Sequence, residues 1–284
     1  MNLGLAALIS GSLLCSHGFA DVLWNNGGMV THPGAGANGF DVSMASIGQP
    51  IGYSATRLAG QEHFRVADRF EVLDAWTVDS ISVYAYQTNS TTPSWSGIEL
   101  RLWDGNPALP GSLIVGVFTH PTIAPTQIYR VSNGSGNLGN TSRLIHTMTF
   151  DANSLALTSG AYWLDWTVTG SASIIGISGS AWATPVQSAN PLNPNQPGLV
   201  WGSTLQLDST GWQPLGIKIP FVIRGSGGSP CAADLTGDGV VDADDFFLFL
   251  QLFASGDPRA DINEDGVIDA DDFFGYLTLF AQGC

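Results

Sequence analysis

The sequence predicts a mainly β protein: a jelly-roll-like β-sandwich over residues 21–225, followed by a small α-helical module over residues 231–284. Three observations predict it. Residues 21–225 are broken into short alternating runs by clusters of Gly, Ser, Thr, Asn and Pro, the punctuation of strands and turns. A Gly/Ser stretch at 226–230 then reads as a linker. Beyond it stand two aromatic runs with apolar residues at helical spacing, each behind an acidic segment of twelve residues.

Residues 1–20 read as a secretory signal peptide. An apolar run is followed by small residues, Gly18 and Ala20, at −3 and −1 of a cut before Asp21. The run has no Lys or Arg ahead of it, which leaves an upstream start open. Cys15 follows Leu13 and Leu14, where a lipid-attachment cysteine needs a small residue. No other stretch has the roughly 18 apolar residues that span a bilayer.

The strands come next. Asp79–Tyr86 alternates with Ile81, Val83 and Ala85 on one face. Gly97–Asp104 turns Ile98, Leu100 and Leu102 inward and Glu99, Arg101 and Trp103 outward. Tyr162–Val168 groups Tyr162, Leu164, Trp166 and Val168, and Gly216–Arg224 groups Ile217, Ile219, Phe221 and Ile223. Pro220 lacks an amide hydrogen and so fits an edge strand or a bulge. Further strands are expected at Val66–Val72, Ser112–Phe118, Gln127–Val131, Leu144–Phe150 and Ala172–Ser178. The polar loops Thr88–Ser96 and Ser188–Pro197 are binding-loop candidates. Ten to twelve short strands of this kind point to two packed sheets of jelly-roll type.

The body carries no His-x-x-x-His metal motif, no Gly-x-Ser-x-Gly elbow and no Gly-rich phosphate loop. No catalytic residue is assigned, and the chain is read as not an enzyme. Glycoside hydrolysis needs only two carboxylates, so a polysaccharide-degrading enzyme stays as the alternative, with a purely structural envelope protein beside it. All nine tryptophans precede the linker. Indole stacks on the apolar C–H face of a sugar ring, so outward Trp103 and Trp163, beside Glu99, Arg101 and Asp165, form a candidate glycan platform. The competing reading is that these rings fill the core.

The acidic segments are Asp234–Asp245 and Asp261–Asp272, in register 27 residues apart. Each places oxygen donors at positions 1, 3, 5, 9 and 12 and glycine at position 6, the spacing of an EF-hand calcium loop. Alternate residues of a tight loop point inward, and glycine permits the sharp turn. The first candidate Ca2+ site is therefore Asp234, Thr236, Asp238, the Val240 carbonyl, Asp242 and Asp245. The second is Asp261, Asn263, Asp265, the Val267 carbonyl, Asp269 and Asp272. Position 12 is Asp rather than Glu in both, and neutral Thr236 predicts a weaker first site. Asp242 and Asp269 are placed to cap helices over about 243–254 and 270–281, with Asp245 and Asp272 in capping-box positions. Phe246, Phe249, Leu250 and Phe253 share one stripe, and Phe273, Tyr276, Leu277 and Phe280 share its copy. Phe247 and Phe274 fall off the stripes, facing either a partner or the small core.

Loop then helix, duplicated and without an entering helix, resembles a dockerin domain. With Cys231 before the first loop and Gly283-Cys284 at the end, it looks like the GC-type dockerins of secreted bacterial proteins. The resemblance covers the last 54 residues. It implies a two-calcium module that plugs its protein into a cohesin-like or other envelope receptor, at the cell surface. Positions 10 and 11, which help choose a cohesin, are Ala243-Asp244 and Ala270-Asp271 here, and no Lys or Arg follows on either helix. The body resembles uncharacterised secreted β-sandwich domains through Ala67–Phe70, Trp76–Ile81, Leu102–Gly105 and Tyr162–Trp166, with no activity implied. Cys231 and Cys284 bracket the module and are expected to pair in an oxidising compartment; the competing reading makes Cys284 a processing or attachment point.

Charge agrees with this division. Residues 231–284 hold twelve acidic residues against one basic, a net −11 of the chain's −15. Nothing basic invites nucleic acid. Polysaccharide and an envelope receptor are the expected partners.

Overall fold

The computed structural model describes residues 20–57, 64–169, 180–190, 193, 195, 197–227, 233–236, 241–262 and 267–282. In chain order the strands are β1 (Asp21–Asn25), β2 (Asp41–Met44), β3 (Tyr53–Ser54), β4 (Thr56–Arg57), β5 (Arg65–Val72), β6 (Trp76–Tyr86), β7 (Ser96–Trp103), β8 (Ile114–Thr119) and β9 (Thr122–Val131). They continue with β10 (Leu144–Leu157), β11 (Gly160–Thr169), β12 (Trp182–Ala183), β13 (Gln187–Ser188), β14 (Gly198–Leu199), β15 (Leu205–Asp208), β16 (Gly211–Pro214) and β17 (Phe221–Gly227). Two helices follow, α1 (Ala243–Ser255) and α2 (Ala270–Gln282).

The strands make two large sheets. One runs β1-β17-β6-β10-β9-β2, with β12 beside β6 and β3 beside β12. The other runs β16-β15-β5-β11-β7-β8, with β4 parallel to the end of β11. Their facing sides contribute to one apolar cluster: Ile81, Val83, Phe150 and Phe221 from the first sheet, Phe70, Leu100, Leu164 and Trp166 from the second. The inward sets expected from alternation on β6, β7 and β11 are all buried. Burying a Phe or Leu side chain is worth about 1.5–3 kcal/mol, so this cluster is the main force holding the sheets together.

Two consecutive strand pairs cross between the sheets. β5 leads into β6 and β10 into β11, and β6 pairs with β10 while β5 pairs with β11. Val72 lies opposite Gly160 and Trp76 opposite Leu157, so both crossings occur at one corner.

Local differences from the expected strands have local causes. β10 runs on to Leu157 rather than ending at Phe150, because Asp151–Ser154 forms a bulge with left-handed Asn153 (φ 52°) and Ser154 (φ 55°). Asp-Ala-Asn-Ser reads as a turn in sequence; here the ladder resumes beyond it. Pro220 is on neither an edge strand nor a bulge. β17 begins just after it, at Phe221, and lies inside its sheet between β1 and β6. A residue without an amide hydrogen cannot join that ladder, so the ladder starts one residue later. β17 also continues through Ser226 and Gly227, so the first two residues read as linker belong to the sheet. The expected strand at Ala172–Ser178 lies outside the described residues.

One buried acid knits the body. Asp68, on β5, accepts hydrogen bonds from Asn26 Nδ2 (2.8 Å), Ser203 Oγ (2.8 Å), Thr204 Oγ1 (2.9 Å) and the amides of Arg69 (2.8 Å) and Ile219 (3.0 Å). Burial raises its pKa, and those hydrogen bonds oppose the rise.

In the tail, Asp242 caps α1 by accepting from the Asp244 amide, and Asp245 returns a bond to the Asp242 amide. Gly256, left-handed at φ 68°, closes the helix by donating to the Leu252 and Phe253 carbonyls. Phe249 and Tyr276 are fully buried, with Leu252 and Ala260 beside them. Leu252, which lies off the expected stripe, is thus part of the core. Phe247 and Phe274 are 64% and 63% exposed, which rules out the core reading for both.

Candidate functional site

The two acidic segments end in the same device. Asp245 accepts from the Thr236 amide through Oδ1 (2.8 Å) and from the Asp242 amide through Oδ2 (2.9 Å). Asp272 accepts from the Ile262 amide through Oδ1 (2.8 Å) and from the Asp269 amide through Oδ2 (2.8 Å). Both carboxylates are fully buried. Each sits in the first turn of its helix because Asp at the third helical position can reach back to the cap amide. Each also holds the start of its loop against that turn. Burial works against ionising Asp245, but the Asp242 and Thr236 amides, with the Thr236 and Asp234 side chains, hold its pKa below the ordinary carboxylate value.

At the loop start, Thr236 Oγ1 donates to Asp234 Oδ1 at 3.3 Å, so positions 1 and 3 of the first loop converge. Asp242 and Asp269 serve as helix caps, accepting from the Asp244 and Asp271 amides at 2.9 Å each. Asp261 and Val267 flank the second loop, with Val267 58% exposed. Asp238, Val240, Asn263, Asp265, Cys231 and Cys284 lie outside the described residues. Among the described residues no three His, Cys, Asp or Glu side chains gather as a metal cage. The donors that are described are hard oxygens of the kind Ca2+ takes. A carboxylate oxygen that accepts one amide keeps a second lone pair.

The aromatic platform is corrected. Trp163 is 6% exposed, packed with Ala67 and Leu205 and flanked by Trp103 and Trp212. It faces away from the central core as alternation requires, but neighbouring side chains cover it, so it offers no stacking surface. Trp103 is half-buried, and its indole N–H donates to Asp165 Oδ2. Around it the outer face of β5, β7 and β11 carries an ion cluster. Arg65 donates to Asp165 through Nε and to Glu99 through Nη1 (3.1 Å), and Arg101 Nε reaches Glu99 at 2.8 Å. Burial raises the Asp165 pKa, and the Arg65 and Arg101 charges and the Trp103 and Arg65 hydrogen bonds oppose it.

Trp201, which the sequence reading did not single out, is 72% exposed. It sits between Val200 and Gly202, outside any alternating run, so no pattern marks it. His146 is a structural histidine: its ring contacts the Leu144 and Thr91 carbonyls at 3.1 Å each. No helix among the described residues is long and apolar enough to cross a membrane. No known family model matches the chain, and no curated protein or solved structure shows significant similarity to it.

Proposed function

We propose that the chain is a secreted, non-catalytic protein whose tail is a dockerin-like Ca2+ module for docking or anchoring at the cell surface. Its two sheets form a jelly-roll-type sandwich with a glycan-binding role. The observation that carries the tail reading is the equivalent placement of Asp245 and Asp272, each tying loop to helix through two backbone amides. The sandwich reading draws on the paired crossings of β5–β6 and β10–β11.

Two ions would be held by Asp234, Thr236, Asp238, the Val240 carbonyl, Asp242 and Asp245, and by Asp261, Asn263, Asp265, the Val267 carbonyl, Asp269 and Asp272. Bound Ca2+ supplies positive charge and multiple oxygen coordination to a segment of net charge −11. The chain's own part is to hold each loop closed through its position-12 carboxylate and to bury Phe249 and Tyr276 between the helices. Such helices are too short to persist alone, so metal binding adds directly to their stability. Exposed Phe247 and Phe274, equivalent in the two repeats, are the receptor-facing candidates. Titration calorimetry of the full chain with Ca2+ tests the reading. Two binding events are expected, and heats indistinguishable from dilution reject it.

A further inference from the structure

A cavity at the β8–β9 turn borders the ion cluster beside Trp103 and shares Glu99 with it. It is a half-open pocket of about 420 Å³, the size of a small-ligand site. Arg57, Trp95, Ile98, Glu99, His120 and Pro121 are among its lining residues. Four features of that lining bear on what it takes.

His120 adopts a left-handed backbone at φ 59°, a conformation that L side chains rarely hold and that clusters at ligand sites. Its Nδ1 lies 2.8 Å from Thr119 Oγ1, and when that hydroxyl donates, Nε2–H is the imidazole's outward donor. Glu99 is already braced by Arg65 and Arg101, at 3.1 and 2.8 Å. It is a fixed acceptor whose charge is largely answered. The Arg57 guanidinium makes no ion pair or hydrogen bond to a described residue, whereas the Trp95 indole N–H, also without an acceptor, is shut off from solvent. Arg57 is therefore a cation in the lining that no described carboxylate answers. Trp95, Ile98 and Pro121 supply apolar surface between them.

We propose that this cavity binds a carboxylated sugar, a uronate unit of an acidic polysaccharide. The Arg57 guanidinium matches a carboxylate in a two-pronged fashion. Glu99 accepts from a ring hydroxyl, His120 donates to one, and the apolar surface meets the ring's C–H face. This rests on the glycan-binding reading of the body and moves its site from Trp103 and Trp163 to the β8–β9 turn.

The test is calorimetric titration of the full chain with trigalacturonate and with neutral cellotriose. Trigalacturonate is expected to bind and cellotriose to bind at least tenfold more weakly. Arg57→Ala should weaken trigalacturonate binding by tenfold or more, and raised salt should weaken it in the wild type. His120→Gly removes the imidazole while suiting the left-handed backbone, so it keeps the fold and should still lose several-fold. Equal affinity for the two sugars, or trigalacturonate binding that ignores both substitutions, overturns the acidic-sugar site while glycan binding stands. Absence of binding to either sugar overturns the inference, and a glycan array run alongside decides the wider reading on its own.

Discussion

Phe249 and Tyr276 stack face to face in the tail, their ring centroids 4.0 Å apart and their planes 4° from parallel. The Tyr276 hydroxyl donates to the Ala233 carbonyl at 3.0 Å, fastening the second helix to the segment before the first loop. Tyr276→Phe keeps the stack and loses the bond, at an expected cost of about 1 kcal/mol. Tyr276→Ala loses the ring as well, at about 3–5 kcal/mol. Urea unfolding followed by the helical circular-dichroism signal separates the two.

The same hydroxyl sets an alkaline limit. Burial, reinforced by the Asp245 and Asp234 charges, pushes the Tyr276 pKa up to about 12. The unfolded phenol ionises near its ordinary value of 10, so the folded form binds more protons between the two values and stability falls as pH rises through that window. Tyr276 is the tail's one tyrosine. Helical signal should decline between pH 10 and 12, and Tyr276→Phe should flatten the decline.

Asp245→Ala leaves the Thr236 and Asp242 amides without the buried carboxylate that accepts from them. Each such loss costs about 1–3 kcal/mol, so the first helix should melt well before the second. Asp245→Asn keeps one accepting oxygen and should cost less. The Asp245 pKa is depressed in the fold, so its contribution is present above the ordinary carboxylate value and fades as pH falls through the depressed one. An acid titration monitored at 222 nm reads this, and a helix equally stable in all three proteins would contradict it.

Asp68 behaves in the opposite sense. Its raised pKa means the fold holds the proton more tightly than the unfolded chain. Stability should fall as pH climbs from the ordinary carboxylate value through the raised one. Asp68→Asn should remove that slope. It should also lower stability by about 1–3 kcal/mol, because an amide nitrogen cannot accept from the donors gathered there. Denaturant midpoints across the acid range give both quantities.

Asp165→Ala removes the fully buried one of the two carboxylates that answer the Arg65 guanidinium, leaving Glu99 alone to do so, and should cost about 3 kcal/mol. The double change Arg65→Met with Asp165→Leu removes both charges and should recover most of the loss. A double-mutant cycle in urea measures it; additive costs would refute the coupling.

Much of the strand pattern was legible because alternation is a local signal. Ile81, Val83 and Ala85, and Leu164, Trp166 and Val168, face the core as period two dictates. The helices run to Ser255 and Gln282, one residue past their expected ends, and their capping aspartates stand in the expected places. The platform reading failed at Trp163 because alternation gives a side chain's direction but not what covers it. Leu205 and Trp212 arrive from about forty to fifty residues later in the chain. The β8–β9 cavity was invisible for the same reason, since Arg57, Glu99 and His120 come from three separate segments. The strand expected to end at Phe150 runs on because the ladder resumes beyond the bulge at Asp151–Ser154.

The shared corner where Val72 meets Gly160 and Trp76 meets Leu157 has a kinetic consequence. Neither contact can form until some eighty intervening residues have been drawn into a closed loop. Chains dominated by such distant pairings fold in milliseconds to seconds, roughly, whereas short helices equilibrate within about a microsecond. Stopped-flow refolding should therefore show tryptophan burial as the late phase, since every indole lies in the slow half of the molecule.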